Sequence, residues 1–83
     1  QIILICIIKT EKMTKIEIQN SEIKYLIVNE KGRVIETGEE FDTFQDTKVD
    51  LKSIEVGKRL RITFNNKVWT ELNYKITEIT EYA

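Results

Sequence analysis

The chain has no histidine and no proline, one cysteine, three glycines and one tryptophan among its 83 residues. Without histidine, the most frequent general base and the most frequent metal ligand are both missing. The single Cys6 cannot close an internal disulfide, has no basic neighbour in sequence to favour a thiolate, and sits in an apolar run where burial disfavours one. It reads as a small buried hydrophobe in a reducing compartment, which points to a cytoplasmic protein. Gly32, Gly38 and Gly57 do not assemble a G-x-x-x-x-G-K loop or a G-x-G-x-x-G fingerprint, so no phosphate cradle is encoded. Nucleophile, base and nucleotide loop are all lacking, and the sequence predicts a protein that is not an enzyme and carries no cofactor.

Long apolar stretches are lacking as well. The longest, residues 2–8, falls far short of the ~18 apolar residues of a membrane span. It also lacks the charged lead-in and small-residue cleavage site of a secretory signal, so no membrane association is expected. β-Branched and without polar alternation, it reads as a strand covered on both faces. Position 1 is Gln, and Met13-Thr14-Lys15 suits a translation start, so residues 1–12 read as an extra N-terminal strand upstream of a natural start at Met13. The bias toward isoleucine, lysine and glutamate, with Ala83 the only alanine, suits a microbial or viral source.

Charge of one sign is lacking too: 13 basic and 14 acidic side chains leave a net charge of −1. This removes the simplest argument for nucleic-acid binding, which is a strongly basic domain, and leaves only local patches. What is present is a hydrophobic content of 41%, enough for a packed globule despite 33% charged residues. A chain of this length reads as one domain covering residues 1–83.

The strongest pattern lies in residues 58–79. Leu60, Ile62 and Phe64 alternate with Arg59, Arg61 and Thr63, the period of a half-buried strand, and the alternation resumes at Val68, Thr70, Leu72, Tyr74 and Ile76. A three-residue loop at 65–67 would pair Phe64 with Val68 and keep Leu60, Ile62 and Leu72 on the same face. Upstream, an Asn20-Ser21 turn would pair Ile18 with Ile23, Ile16 with Tyr25, and Glu17 with Lys24. Asn29-Glu30-Lys31-Gly32 has the composition of a type I turn ending on a left-handed glycine, which pairs Ile27 with Ile35. Leu26, Val28 and Val34 then lie on the opposite, equally apolar face, which demands a second layer. Strands are expected near 14–19, 23–28, 33–37, 59–64 and 68–76, with a short one through Thr47, Val49 and Leu51. Residues 38–50 read as an acidic loop in which Phe41 and Phe44 fit one helical turn. The predicted fold is all-β, a small barrel or two-layer sandwich of antiparallel hairpins with about six strands.

The acidic residues Glu39, Glu40, Asp42, Asp46 and Asp50 do not have the D-x-D-x-D-G spacing of a calcium loop, and no metal site is expected. Nor does a pocket in the sequence mark Glu39 and Asp42 as catalytic carboxylates. The candidate binding face is the outside of the main hairpin. With the three-residue loop, Arg61 faces Glu71, Arg59 faces Asn73, and Thr63 faces Trp69, so Trp69 and Arg61 are diagonal neighbours. Arg59, Arg61, Trp69 and Lys75, with Lys58 and Lys67 nearby, would form an aromatic and cationic platform able to stack bases and hold phosphates. The alternative is a ring packed inside with Arg61 resting on it.

The sequence therefore predicts a non-enzymatic protein-interaction module, an accessory or inhibitory factor with a protein partner or a second copy of itself. The alternative is a nucleic-acid-binding module using the hairpin face. For residues 2–8, the alternatives are a core strand and an edge that pairs with another subunit. Deleting residues 1–12 is expected to abolish the β-sheet circular dichroism of a core-strand protein; a folded monomer formed from a dimer would instead reveal a pairing edge.

Overall fold

The computed structural model describes residues 12–39 and 44–82. They form β1 (Met13–Ile18), β2 (Tyr25–Asn29), β3 (Val34–Thr37), β4 (Lys48–Val49), β5 (Ile62–Phe64), β6 (Lys67–Trp69), a 3-10 turn at Leu72–Tyr74, and β7 (Ile76–Tyr82). A four-stranded sheet runs in the order β3-β2-β1-β7 and a three-stranded sheet in the order β4-β5-β6. Every pairing is antiparallel. The all-β class is as expected, and of the two architectures the arrangement is the sandwich: single bridges between Arg33 and Lys48 and between Arg59 and Lys75 join the sheets at two corners without closing a barrel. No helix among the described residues is long and apolar enough to cross a membrane. The apolar run 2–8 and Cys6 lie outside the described residues, as do Phe41 and Asp42.

Both sheets contribute to one core. Ile16, Leu26 and Val28 from the larger sheet, Ile62 from the smaller, and Leu60 and Phe44 from the connections have no exposed surface. Each such aliphatic side chain stabilises the fold by about 1.5–3 kcal/mol relative to exposure. Thr47 is also buried, and its hydroxyl donates to the Phe44 carbonyl at 2.6 Å. Thr47 and Val49 both face inward, as their alternation predicts, while Asp46 at φ 63 turns the chain into β4.

The first hairpin differs from expectation by one residue in register. Glu17 pairs with Tyr25 and Ile16 with Leu26, so Leu26 and Val28, rather than Tyr25 and Ile27, face the core. The cause is the turn. Asn20 accepts backbone N–H bonds from Glu22 and Ile23 through Oδ1, both at 2.9 Å, and Lys24 N–H donates to the Asn20 carbonyl at 2.8 Å. Lys24 then adopts φ 67, which breaks the two-residue period and lets Ile23 and Leu26 both point inward. On the outer face, the Tyr25 hydroxyl donates to Glu36 Oε2 at 3.0 Å, and Lys15 Nζ lies 4.7 Å from the ring centroid. The bond to Glu36 favours the protonated phenol and holds its pKa above the ordinary tyrosine value.

The second hairpin has the expected register only beside its turn. Val28 pairs with Val34, but a bulge follows and Ile27 meets Glu36 instead of Ile35, which is left exposed. Gly32 does occupy the left-handed position, at φ 85, and its N–H donates to the Asn29 carbonyl at 2.9 Å.

The main hairpin is corrected in the same way. Asn65 and Asn66 have φ 50 and 63, the two positive angles of a type I′ turn, so the loop has two residues rather than three. Asparagine visits this region because its short side chain can bond locally; the longer loop required Lys67 to do so. Phe64 therefore pairs with Lys67, Thr63 with Val68, and Ile62 with Trp69. The single strand expected at 68–76 is also interrupted. β6 stops at Trp69, the 3-10 turn intervenes, and β7 starts at Ile76, which buries Tyr74 and Ile76 and leaves Leu72 73% exposed.

Two glycines with left-handed backbone give a controlled test. A Cβ on Gly32 would overlap the Val49 carbonyl oxygen, where Val49 N–H already donates to the Gly32 carbonyl at 2.7 Å, whereas a Cβ on Gly57 at φ 95 meets nothing. Gly57→Ala should cost only the backbone strain of about 1–2 kcal/mol. Gly32→Ala should cost that strain plus about 1–3 kcal/mol of overpacking, measured by urea unfolding.

Candidate anion-binding groove

The stretch that carries the candidate site begins at Gly57, whose left-handed turn sends the chain back along β7. Gly57 N–H donates to the Ile76 carbonyl at 2.9 Å, Ile76 N–H to the Lys58 carbonyl at 2.8 Å, and Leu60 N–H to the Tyr74 carbonyl at 2.9 Å. Leu60 and Ile62 are completely buried, so the alternation of the extended chain turns Arg59 and Arg61 to the opposite, solvent side. Thr70 seals the other wall: its hydroxyl donates to the Leu60 carbonyl at 2.6 Å. Ser53 is placed by the Asp50 turn, where its N–H and hydroxyl both donate to the Asp50 carbonyl, at 3.1 and 3.0 Å.

Together Ser53, Lys58, Arg59, Arg61 and Thr70 line an open groove of about 500 Å³. Three of the five are cations and none is a carboxylate. Lys75 adds a fourth cation next to them, because the bridge to Arg59 sets these two residues directly opposite each other. Like charges in that position repel. The nearest neutralising group is Glu55, whose Oε1 lies 3.6 Å from Lys58 Nζ with both side chains about two-thirds exposed, a geometry worth little in water. The one other ion pair among the described residues, Arg33 with Asp46 at 2.9 Å, belongs to the β4 corner. Arg59, Arg61 and Lys75 thus make no ion pair with a described residue.

Of the four residues singled out in the sequence, the structure brings Arg59, Arg61 and Lys75 together and takes Trp69 away. With the two-residue turn, Trp69 sits opposite Ile62 and packs on the core, 5.8 Å from the Phe44 ring at an interplanar angle of 28° and 5.8 Å from Tyr74. It is not a diagonal neighbour of Arg61, and Arg59 faces Lys75 rather than Asn73. Lys67 lies at the hairpin tip and does not line the groove. Ser53 and Thr70 were not legible as site residues, because one sits in an irregular turn and the other had the parity of an inward position. Among the described residues, no group of three or more Cys, Asp or Glu is arranged to hold a metal ion.

The chain matches no family model, no curated protein and no solved structure.

The Arg59–Lys75 juxtaposition can be measured as stability. Lys75→Glu should replace a repulsive cross-strand pair by an attractive one and stabilise the domain by about 0.2–1 kcal/mol. The gain should shrink in high salt, as befits an exposed pair; thermal melts at two ionic strengths would show it, and a loss of stability would disprove the pairing.

Proposed function

We propose that this protein is a non-enzymatic cytoplasmic binding module that holds an anionic partner in the groove between residues 53, 58–61 and 70. The observation that carries this reading is the arrangement of Arg59 opposite Lys75 with Arg61 two residues further along the same side, around a groove lined by no carboxylate. Two arginines presented on one side of a hydrogen-bonded segment suit multidentate recognition of oxyanions. By occupying such a partner the module would act as an accessory or inhibitory factor. A second reading, docking of a protein partner or another copy of the chain, is favoured by Val68 and Leu72, apolar side chains that are 60% and 73% exposed on the smaller sheet and the turn after it.

Chromatography on immobilised heparin tests the first reading. A protein of net charge −1 has no overall attraction to a polyanionic matrix, so retention at low salt must come from a local cationic site. Retention of the native chain and release of the Arg59→Glu/Arg61→Glu variant are expected. Passage of the native protein straight through would overturn the anion-binding reading.

A further inference from the structure

We propose that the anion held in the groove is the phosphodiester backbone of a nucleic acid, gripped without base stacking; this rests on the anion-binding reading above. Two features favour a phosphodiester chain over an acidic peptide, and a third fits a linear polyanion.

The first is the state of the groove's own backbone. Lys58 and Leu60 are already committed to Ile76 and Tyr74, and the Leu60 carbonyl also receives the Thr70 hydroxyl. The side of this segment that faces β7 is thus closed to an added strand, and peptides recognised in extended form draw much of their affinity from such ladder bonds. A phosphodiester needs none.

The second is the lining, Ser53, Lys58, Arg59, Arg61 and Thr70, which includes no apolar or aromatic residue. Protein partners usually anchor through buried aromatic or aliphatic side chains, whereas nucleic-acid backbones are held by cations and hydroxyl groups. The hydroxyls here already donate to backbone carbonyls, so the cations supply the grip.

The third is spacing. Along an extended chain, side chains two residues apart on one face are separated by about 7 Å, so Arg59 and Arg61 present two forks in a row, flanked by Lys58 and Lys75. A linear polymer with one charge per unit can meet this row with successive phosphates. Since Trp69 packs against the core and no aromatic residue lines the groove, binding is expected to be independent of sequence.

The probes are fluorescein-labelled oligothymidylate, a labelled duplex of matched phosphate content, and poly-glutamate as competitor, all read by polarisation with the full chain. Three to four phosphate contacts predict that a fourfold rise in salt weakens single-strand binding about 20- to 50-fold and duplex binding about 40- to 150-fold. Arg59→Ala/Arg61→Ala should lower the single-strand salt slope by about 1.4 and leave the circular dichroism spectrum unchanged. Should that variant fail to fold, Lys75→Ala, altered on the facing strand, should still lower the slope by about 0.7. Tryptophan fluorescence should not change on binding. Competition by poly-glutamate at equal charge concentration would overturn the phosphodiester assignment while leaving anion binding standing, and an unchanged slope in the variants would overturn the groove itself as the site. Absence of binding to oligonucleotide and poly-glutamate alike, at low salt, would remove both.

Discussion

Leu60 and Ile62 have no contact with solvent, and the outer face of the smaller sheet depends on that burial. In an extended chain two inward residues at this spacing require their neighbours to face out, so the removal of two aliphatic side chains from water is what places Arg59 and Arg61 on the surface. The hydrogen bonds from Leu60 to Tyr74 and from Ile76 to Lys58 then fix where the cations stand relative to β7, and they bring Lys75 opposite Arg59. The core thereby imposes the geometry of a charged surface that would not assemble by itself, since its members repel.

The same inward face decides the fate of Trp69. In the Asn65-Asn66 turn both residues use left-handed backbone, and this counts two residues between strands instead of three. That single unit moves Trp69 across the sheet to stack on Phe44 and tilt against Tyr74, and it moves Val68 out. Aromatic contacts at these separations add to the area the ring buries. A cluster of Phe44, Trp69 and Tyr74 joins the end of β6, the 3-10 turn and the segment before β4, three pieces with little regular hydrogen bonding among themselves.

How far the sequence could be read follows from this counting. The strands at 13–18, 34–37 and 48–49 and the inward facing of Ile16, Ile18, Leu60 and Ile62 are set by local alternation and β-branching, which are visible in the residues. Registers are set by turns. In two turns the register depended on non-glycine residues with positive φ: Lys24, and Asn65 with Asn66. Composition marks glycine for that role and did so correctly at Gly32, but it gives no sign that Lys24 leaves the β region. Each residue miscounted in a turn changes the parity by one, and with a period of two that exchanges the faces. For this reason Leu26 and Val28, rather than Tyr25 and Ile27, share the face of Ile16 and Ile18. The outward placement of Arg59, Arg61 and Lys75 was nevertheless legible, because Arg59 and Arg61 depend on the strand's own alternation, and Lys75 stands one residue before a buried isoleucine.

Net charge conceals the rest. The sum of 13 basic and 14 acidic groups says nothing about how they are distributed, yet fields between exposed charges fade over a Debye length of about 8–10 Å at physiological salt. Within that distance a ligand responds to the nearest few groups and hardly to the molecule's total. Lys58, Arg59, Arg61 and Lys75 are brought together by one β bridge and one groove. Glu36 on the larger sheet is engaged with Tyr25, and Asp46 at the β4 corner with Arg33. A nearly neutral protein can thus carry a locally cationic site, and because the Arg59–Lys75 repulsion opposes folding, an anion bound between them would relieve a cost that the free domain carries. Ligand and fold would then be linked through the same pair of residues, one on each of the two segments that join the sheets.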